Sequence, residues 1–175
     1  MAEQGVAEAQ FVLASIYLES EDVQRDYKKA AFWAEKAAEQ DHQDAQAMIG
    51  YLYFRDEYGI RNNEKAAYWF EKIADTNHPF HKEAQFALGI LYKLDGSQKN
   101  YPKAKKYLIK TTLENPKLIQ VAAAQMLIGD LYLAGYGVRQ SNYTAKEWYG
   151  KSCDNGYQKG CDNYRVLKSY IQKYP

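Results

Sequence analysis

The chain has 175 residues, 46% of them hydrophobic and 26% charged, with 17 tyrosines against 4 prolines; that length and apolar content suit one folded domain or a short repeat array and exclude a disordered chain. No apolar run approaches the roughly 20 residues that a membrane-crossing helix needs, and nothing at Met1-Ala2-Glu3-Gln4-Gly5 resembles a signal peptide. Net charge is +1 but is unevenly divided: residues 1–75 hold 8 Lys and Arg against 15 Asp and Glu, a balance of −7, whereas residues 76–175 hold 15 against 7, a balance of +8.

In chain order, residues 9–17 (AQFVLASIY) place Ala9, Leu13, Ile16 and Tyr17 at i, i+4, i+7 and i+8, the apolar stripe of a helix. Residues 30–38 (AAFWAEKAA) form a second helix with Ala30, Trp33 and Ala37 on one side. The pair then recurs: AQAMIGYLY (45–53) with AAYWFEKIA (66–74), AQFALGILY (84–92) with AKKYLIKTT (104–112), and AQMLIGDLY (124–132) with AKEWYGKSC (145–153). The leading alanines lie 36, 39 and 40 residues apart, and each closing tyrosine precedes the next alanine by 13, 13, 12 and 13 residues. Two interleaved motifs in constant phase mark a repeat architecture.

Each second helix has a start signal. Asp26, Asn62, Asn100 and Ser141 stand four residues before the motif alanines, where a side-chain oxygen accepts from orphan backbone N–H groups. Pro102 fits the first helical turn, and Asn115-Pro116 reads as the same device opening the fourth first helix. Gly50, Gly89 and Gly129, with Ala14 in the first repeat, remove bulk where two helices approach closely. One helix pair cannot bury its apolar faces alone, so neighbours stack. The expected fold is an all-α, right-handed α-solenoid of about four helix-turn-helix repeats in a single domain, 1–36, 37–72, 73–110 and 111–151, with a capping helix over 152–175.

The segment LYLAGYGVRQSNYTAKEWYGKSCDNG (131–156) resembles a Sel1-like repeat, with the match carried by Ala124, Gly129, Tyr132, Gly135, Gly137, Val138, Ala145, Trp148, Tyr149 and Lys151. The likeness extends over the whole chain. It departs in two loops, LESEDVQRDY in the first repeat, without glycine, and the shorter LDGSQKNY in the third. The resemblance implies an adaptor that holds a partner protein on its surface, with no catalytic residue and no cofactor. Periplasmic members of the family also serve as immunity proteins that neutralise a toxin, which is the alternative function. Cys153 and Cys161, eight positions apart with Gly156 and Gly160 between them, match the spacing at which a secreted, cysteine-rich subgroup of the family bridges such pairs. A disulfide there implies a periplasmic or secreted protein whose signal peptide is absent from this sequence. Two reduced thiols in a cytoplasmic protein are the other reading. Some cysteine-rich relatives are associated with β-lactam binding or hydrolysis, but the sequence contains no S-x-x-K.

Other chemistry finds little support. Two cysteines without a nearby histidine do not make a zinc site. His78 and His81 share HxxH spacing but read as loop residues, with Pro79 between them. Lys99, Lys103, Lys105, Lys106 and Lys110 make a basic helix without any recognised nucleic-acid-reading module, so no nucleic-acid partner is expected. The acidic and basic halves suit weak, salt-sensitive head-to-tail association, or else a solvated surface.

The partner-binding residues expected are those two and six positions after each motif alanine, pointing away from the buried stripe: Phe11 and Ser15, Ala47 and Tyr51, Phe86 and Ile90, Met126 and Asp130. In stacked helix pairs the first helices line the concave face, where solenoids receive partners. Of these positions, Phe11, Ser15, Tyr51, Phe86, Ile90, Met126 and Asp130 form the candidate surface. On this reading alanine at Tyr51 and Phe86 weakens binding and leaves stability nearly unchanged. If these side chains pack on the neighbouring repeat instead, each truncation costs about 3–5 kcal/mol.

Overall fold

The computed structural model describes residues 1–19, 24–94, 100–113 and 119–174, apart from the Leu94 side chain. Among the described residues there are nine α-helices and no strand: α1 (Ala7–Glu19), α2 (Tyr27–Ala38), α3 (Gln43–Phe54), α4 (Asn63–Ile73), α5 (His81–Leu94), α6 (Tyr101–Leu113), α7 (Ile119–Ala134), α8 (Asn142–Asp154) and α9 (Gln158–Lys173). The class is an all-α helical-repeat solenoid. Asn115-Pro116, Lys99 and the middles of the two divergent loops lie outside the described residues.

The chain divides into two compact units, Met1–Ala87 and Leu88–Pro175, with the boundary inside α5. In the first unit α1 packs on α2, α2 on α3 and α3 on α4. Its core is built largely from alanine, with Ala14, Ala30, Ala34, Ala37 and Ala45 fully buried beside Ile49, Leu52 and Trp69. Small side chains bring helix axes close, and the few large ones fill the remaining space at native density. In the second unit α6 packs on α7, α7 on α8 and α8 on α9, with Met126, Ala145, Tyr149 and Leu167 forming one core cluster.

All four expected caps are made. Asp26 Oδ1 accepts from the Lys29 N–H at 2.9 Å, Asn62 Oδ1 from Lys65 at 3.0 Å, Asn100 Oδ1 from Lys103 at 3.1 Å and Ser141 Oγ from Thr144 at 3.2 Å. Each cap residue also donates its own N–H to the carbonyl of the motif tyrosine before it: Asp26 to Tyr17, Asn62 to Tyr53, Asn100 to Tyr92 and Ser141 to Tyr132, at 2.8–3.1 Å. One residue thus ends the loop and starts the helix, which explains the near-constant spacing between the two motifs.

The glycines sit where bulk is excluded. A Cβ on Gly50 would lie 2.7 Å from the Phe70 ring, one on Gly89 would lie 2.5 Å from Leu108, and one on Gly129 would lie 2.6 Å from the Tyr149 ring. The α1 stripe differs from expectation. Gln10 and Ala14 are its buried residues, whereas Ile16 is 38% exposed and Ala9 and Leu13 are only partly covered.

Candidate partner-binding surface

The positions singled out on the first helices do not share one environment. In the first unit, Phe11 on α1 stacks on the His42 ring at 4.7 Å and 29°. Ser15 turns its hydroxyl inward along the helix and donates to the Phe11 carbonyl, so it offers little to a partner. Tyr51 on α3 meets Phe70 edge-on at 5.2 Å and Phe80 edge-on at 6.3 Å. Burial first, and then the charge of Glu83, push the Tyr51 phenol up to about 12. Tyr51 is therefore half core and half surface, and its truncation costs stability, contrary to a purely external role. Ala47 is buried. Phe86 and Ile90, one turn apart on α5, are partly exposed.

In the second unit Met126 is a correction. It is 5% exposed and packs with Ala145, Tyr149 and Leu167, because α7 is enclosed by α8 and carries buried side chains around most of its circumference. Asp130 stays partly exposed but is heavily engaged: its carboxylate accepts from Lys93 Nζ at 2.6 Å and from the Tyr149 hydroxyl at 2.8 Å. Burial, followed by the Asp130 charge, holds the Tyr149 phenol far above its ordinary range. A buried tyrosine hydroxyl needs a partner, and Asp130 supplies it. In the first unit Phe11, Tyr51 and Phe86 stay partly open, and in the second Ile90 and Asp130 do.

Three features escaped the sequence reading. His78 lies in a loop, as expected, but is 5% exposed; its Nδ1 accepts from the Phe80 N–H at 3.2 Å and its Nε2 donates to Asp44 at 3.0 Å. His42 makes the same pattern one repeat earlier, accepting from the Ala45 N–H at 3.3 Å and joined to Glu8 at 3.0 Å. Each histidine follows its carboxylate by 34 residues, and each carboxylate immediately precedes a motif alanine, so repeat phase was the available signal. The motif tyrosines also lie under lysines: Lys29 over Tyr17 at 5.2 Å, Lys65 over Tyr53 at 4.9 Å and Lys103 over Tyr92 at 5.0 Å. In the first unit Glu35 draws Lys65 and the Tyr53 hydroxyl together at 2.9 and 3.1 Å.

The basic helix is α6, and its charges rest on rings, Lys105 over Tyr132 and Lys106 over Tyr107. Among the described residues no group of three or more His, Cys, Asp or Glu is placed to hold a metal ion, and no helix is long and apolar enough to cross a membrane. The sulfurs of Cys153 on α8 and Cys161 on α9 lie at bonding distance, 1.98 Å, with Cα atoms 4.4 Å apart. A Cβ on Gly160 would collide with Ser152 at the same junction, and the Ser152 hydroxyl donates to the Ala122 carbonyl on α7 at 2.7 Å.

Four Sel1 repeats match the chain, at residues 7–42, 43–78, 82–113 and 122–157. The structure is similar to c5321, a protective antigen present in uropathogenic Escherichia coli strains, with 31% identity, a TM-score of 0.65, and coverage of 97% of this chain and 35% of that one. It is also similar to a Sel1 repeat protein from Oxalobacter formigenes, with 28% identity, a TM-score of 0.59, and coverage of 91% and 61%. A sel1 repeat protein from Klebsiella pneumoniae subsp. pneumoniae shares the fold at 23% identity and a TM-score of 0.50, with coverage of 95% and 80%. The chain thus spans about a third and about three-fifths of the lengths of the first two. No curated protein sequence matches it. Sel1 repeat proteins generally mediate protein–protein interaction and are generally non-enzymatic scaffolds. With four such repeats over most of its length, the chain belongs to the Sel1 repeat family.

Proposed function

We propose that the chain is an adaptor that binds a partner protein through the outward side of its first helices, at Phe11, Tyr51 and Phe86 in the first unit and at Ile90 in the second, in the periplasm or outside the cell. The observation that carries this reading is positional. At the second and sixth positions after the motif alanines, the large apolar side chains Phe11, Tyr51, Phe86 and Ile90 stay partly open. Aromatic groups held rigidly by their neighbours, as Tyr51 is by Phe70 and Phe80, lose little entropy when a partner covers them and are frequent interface anchors. The cysteine pair supports the compartment, since disulfides persist where the environment is oxidising.

The binding reading is tested by affinity capture with the wild-type chain and with Phe86→Ala/Ile90→Ala. Specific recovery of a protein by the wild type and its loss with the variant, at unchanged melting temperature, is the expected result. Equal recovery by both removes this face from the account. The compartment is tested by intact mass and thiol labelling of protein from its native host. Two free thiols there contradict a periplasmic or secreted location.

A further inference from the structure

Among the helix faces that leave apolar side chains open to solvent, those of α1 and α9 carry opposite charge. On α1, Val6 and Val12 are each 47% exposed and Ile16 38%. With Met1, Ala9 and Leu13 they line a shallow groove on the side away from the buried Gln10 and Ala14. On α9, Gly160 and Leu167 are buried, with Tyr164 and Ile171 partly covered beside them, and a separate stripe holds Val166, 71% exposed, and Tyr170, 50% exposed.

The charges around these stripes are complementary. Residues 1–19 contain Glu3, Glu8 and Glu19 and no lysine or arginine, a balance of −3. Helix α9 contains Lys159, Arg165, Lys168 and Lys173 against Asp162, a balance of +3. Pairing α1 with a second α1, or α9 with a second α9, sets like charges together around an apolar contact. Pairing α1 with α9 covers both stripes and brings opposite charges within a Debye length, about 8–10 Å at moderate ionic strength.

We infer that the exposed face of α9 in one molecule docks on the exposed face of α1 in another. The occupant of each face is a second copy of this chain. Such a contact joins two different surfaces, so every copy carries one of each, and the contact generates closed rings or open chains according to whether its rotation closes. Val12 and Ile16 meet Val166 and Tyr170, while Glu3 and Glu19 face Lys159 and Lys173.

Sedimentation velocity of the 175-residue chain over a wide concentration range tests this at low and high ionic strength. The expected result is a mean mass that rises above that of the monomer with concentration at low ionic strength and falls toward the monomer at high. Two charge-reversed variants sharpen it: Lys159→Glu/Lys173→Glu and Glu3→Lys/Glu19→Lys. All four side chains are exposed. The reversals at positions 159 and 19 place the new charge favourably for the helix dipole, so folding should be retained and circular dichroism checks it. Each variant alone should associate about tenfold or more weakly than the wild type, because both of its end faces then carry the same sign. Mixing the two should restore association. A chain that is monomeric at low ionic strength, association that salt leaves unchanged, or two variants that associate like the wild type would each overturn the proposal.

Discussion

At the residue after the packing glycine, the first unit carries Tyr51, and the second carries Ile90 after Gly89 and Asp130 after Gly129. The difference tracks the ring against which the glycine lies. Gly50 meets Phe70, an aromatic without a polar atom, and Tyr51 adds an edge-on ring to it. Gly129 meets Tyr149, which brings a hydroxyl into a site where it is 1% exposed, and Asp130 accepts from that hydroxyl. The repeat therefore dictates glycine against a large side chain (Phe70, Leu108 or Tyr149), and at the two aromatic sites the polarity of the ring decides what stands next to the glycine. A surface position inherits its chemistry from the core residue beneath it.

The largest expected effect falls on the ring of the second unit. Tyr149→Ala should lower stability by about 3–5 kcal/mol in urea denaturation, as for other buried aromatic truncations. Tyr51→Ala, removing a half-buried ring, should cost about 2 kcal/mol. Equal losses at the two positions would erase the distinction drawn between them.

Separating α8 from α9 comes next. Cys153→Ser/Cys161→Ser should lose about 2–3 kcal/mol, the value for closing so short a loop. An unchanged unfolding midpoint in the oxidised and double-serine proteins would show that packing around Ser152 and Gly160 holds the junction unaided.

Asp130→Ala strands the Tyr149 hydroxyl and the Lys93 ammonium, at a cost of about 1–3 kcal/mol. In a Tyr149→Phe background the same substitution should cost less, because no hydroxyl is left without an acceptor. Strict additivity would mean that the bond contributes nothing to choosing aspartate at this position.

The smallest effect is one of pH. The Tyr51 phenol holds its proton up to about 12 in the folded chain, against an ordinary 10.0. Between those values the folded state binds more protons than the unfolded state, so this contribution is complete below pH 10 and is lost as pH rises toward 12. Tyr51→Phe should flatten that part of the stability profile, and an identical slope in both proteins would contradict the assigned burial.

Much of the fold was legible because it rests on local chemistry. The two motifs, the four caps and the three packing glycines each follow from residue type and spacing, and the structure places all of them as read. The candidate surface was less legible. A helical period shows which side of a helix faces its own partner, but not how many neighbours the helix has. The period places Met126 on the surface only if α7 packs on one side, whereas α7 meets α6, α8 and α9 and buries its own side chains around most of its circumference. Ile16 was assigned to the core by the same rule and is exposed on α1. The histidine–carboxylate links were missed because their partners lie one repeat apart, where no local pattern joins them.

On the proposed function, the first-helix face, and not the aromatic surface of the second helices, receives the partner. Phe32 and Tyr68, each 53% exposed on α2 and α4 and edge-on to Trp33 and Trp69, form the natural control. The direct measurement introduces the photo-crosslinking residue p-benzoylphenylalanine singly at positions 11, 51, 86, 32 and 68 and illuminates the protein with native-host extract. The account predicts one specific crosslinked protein from positions 11, 51 and 86 and none from 32 and 68. Crosslinks from 32 and 68 alone would contradict it.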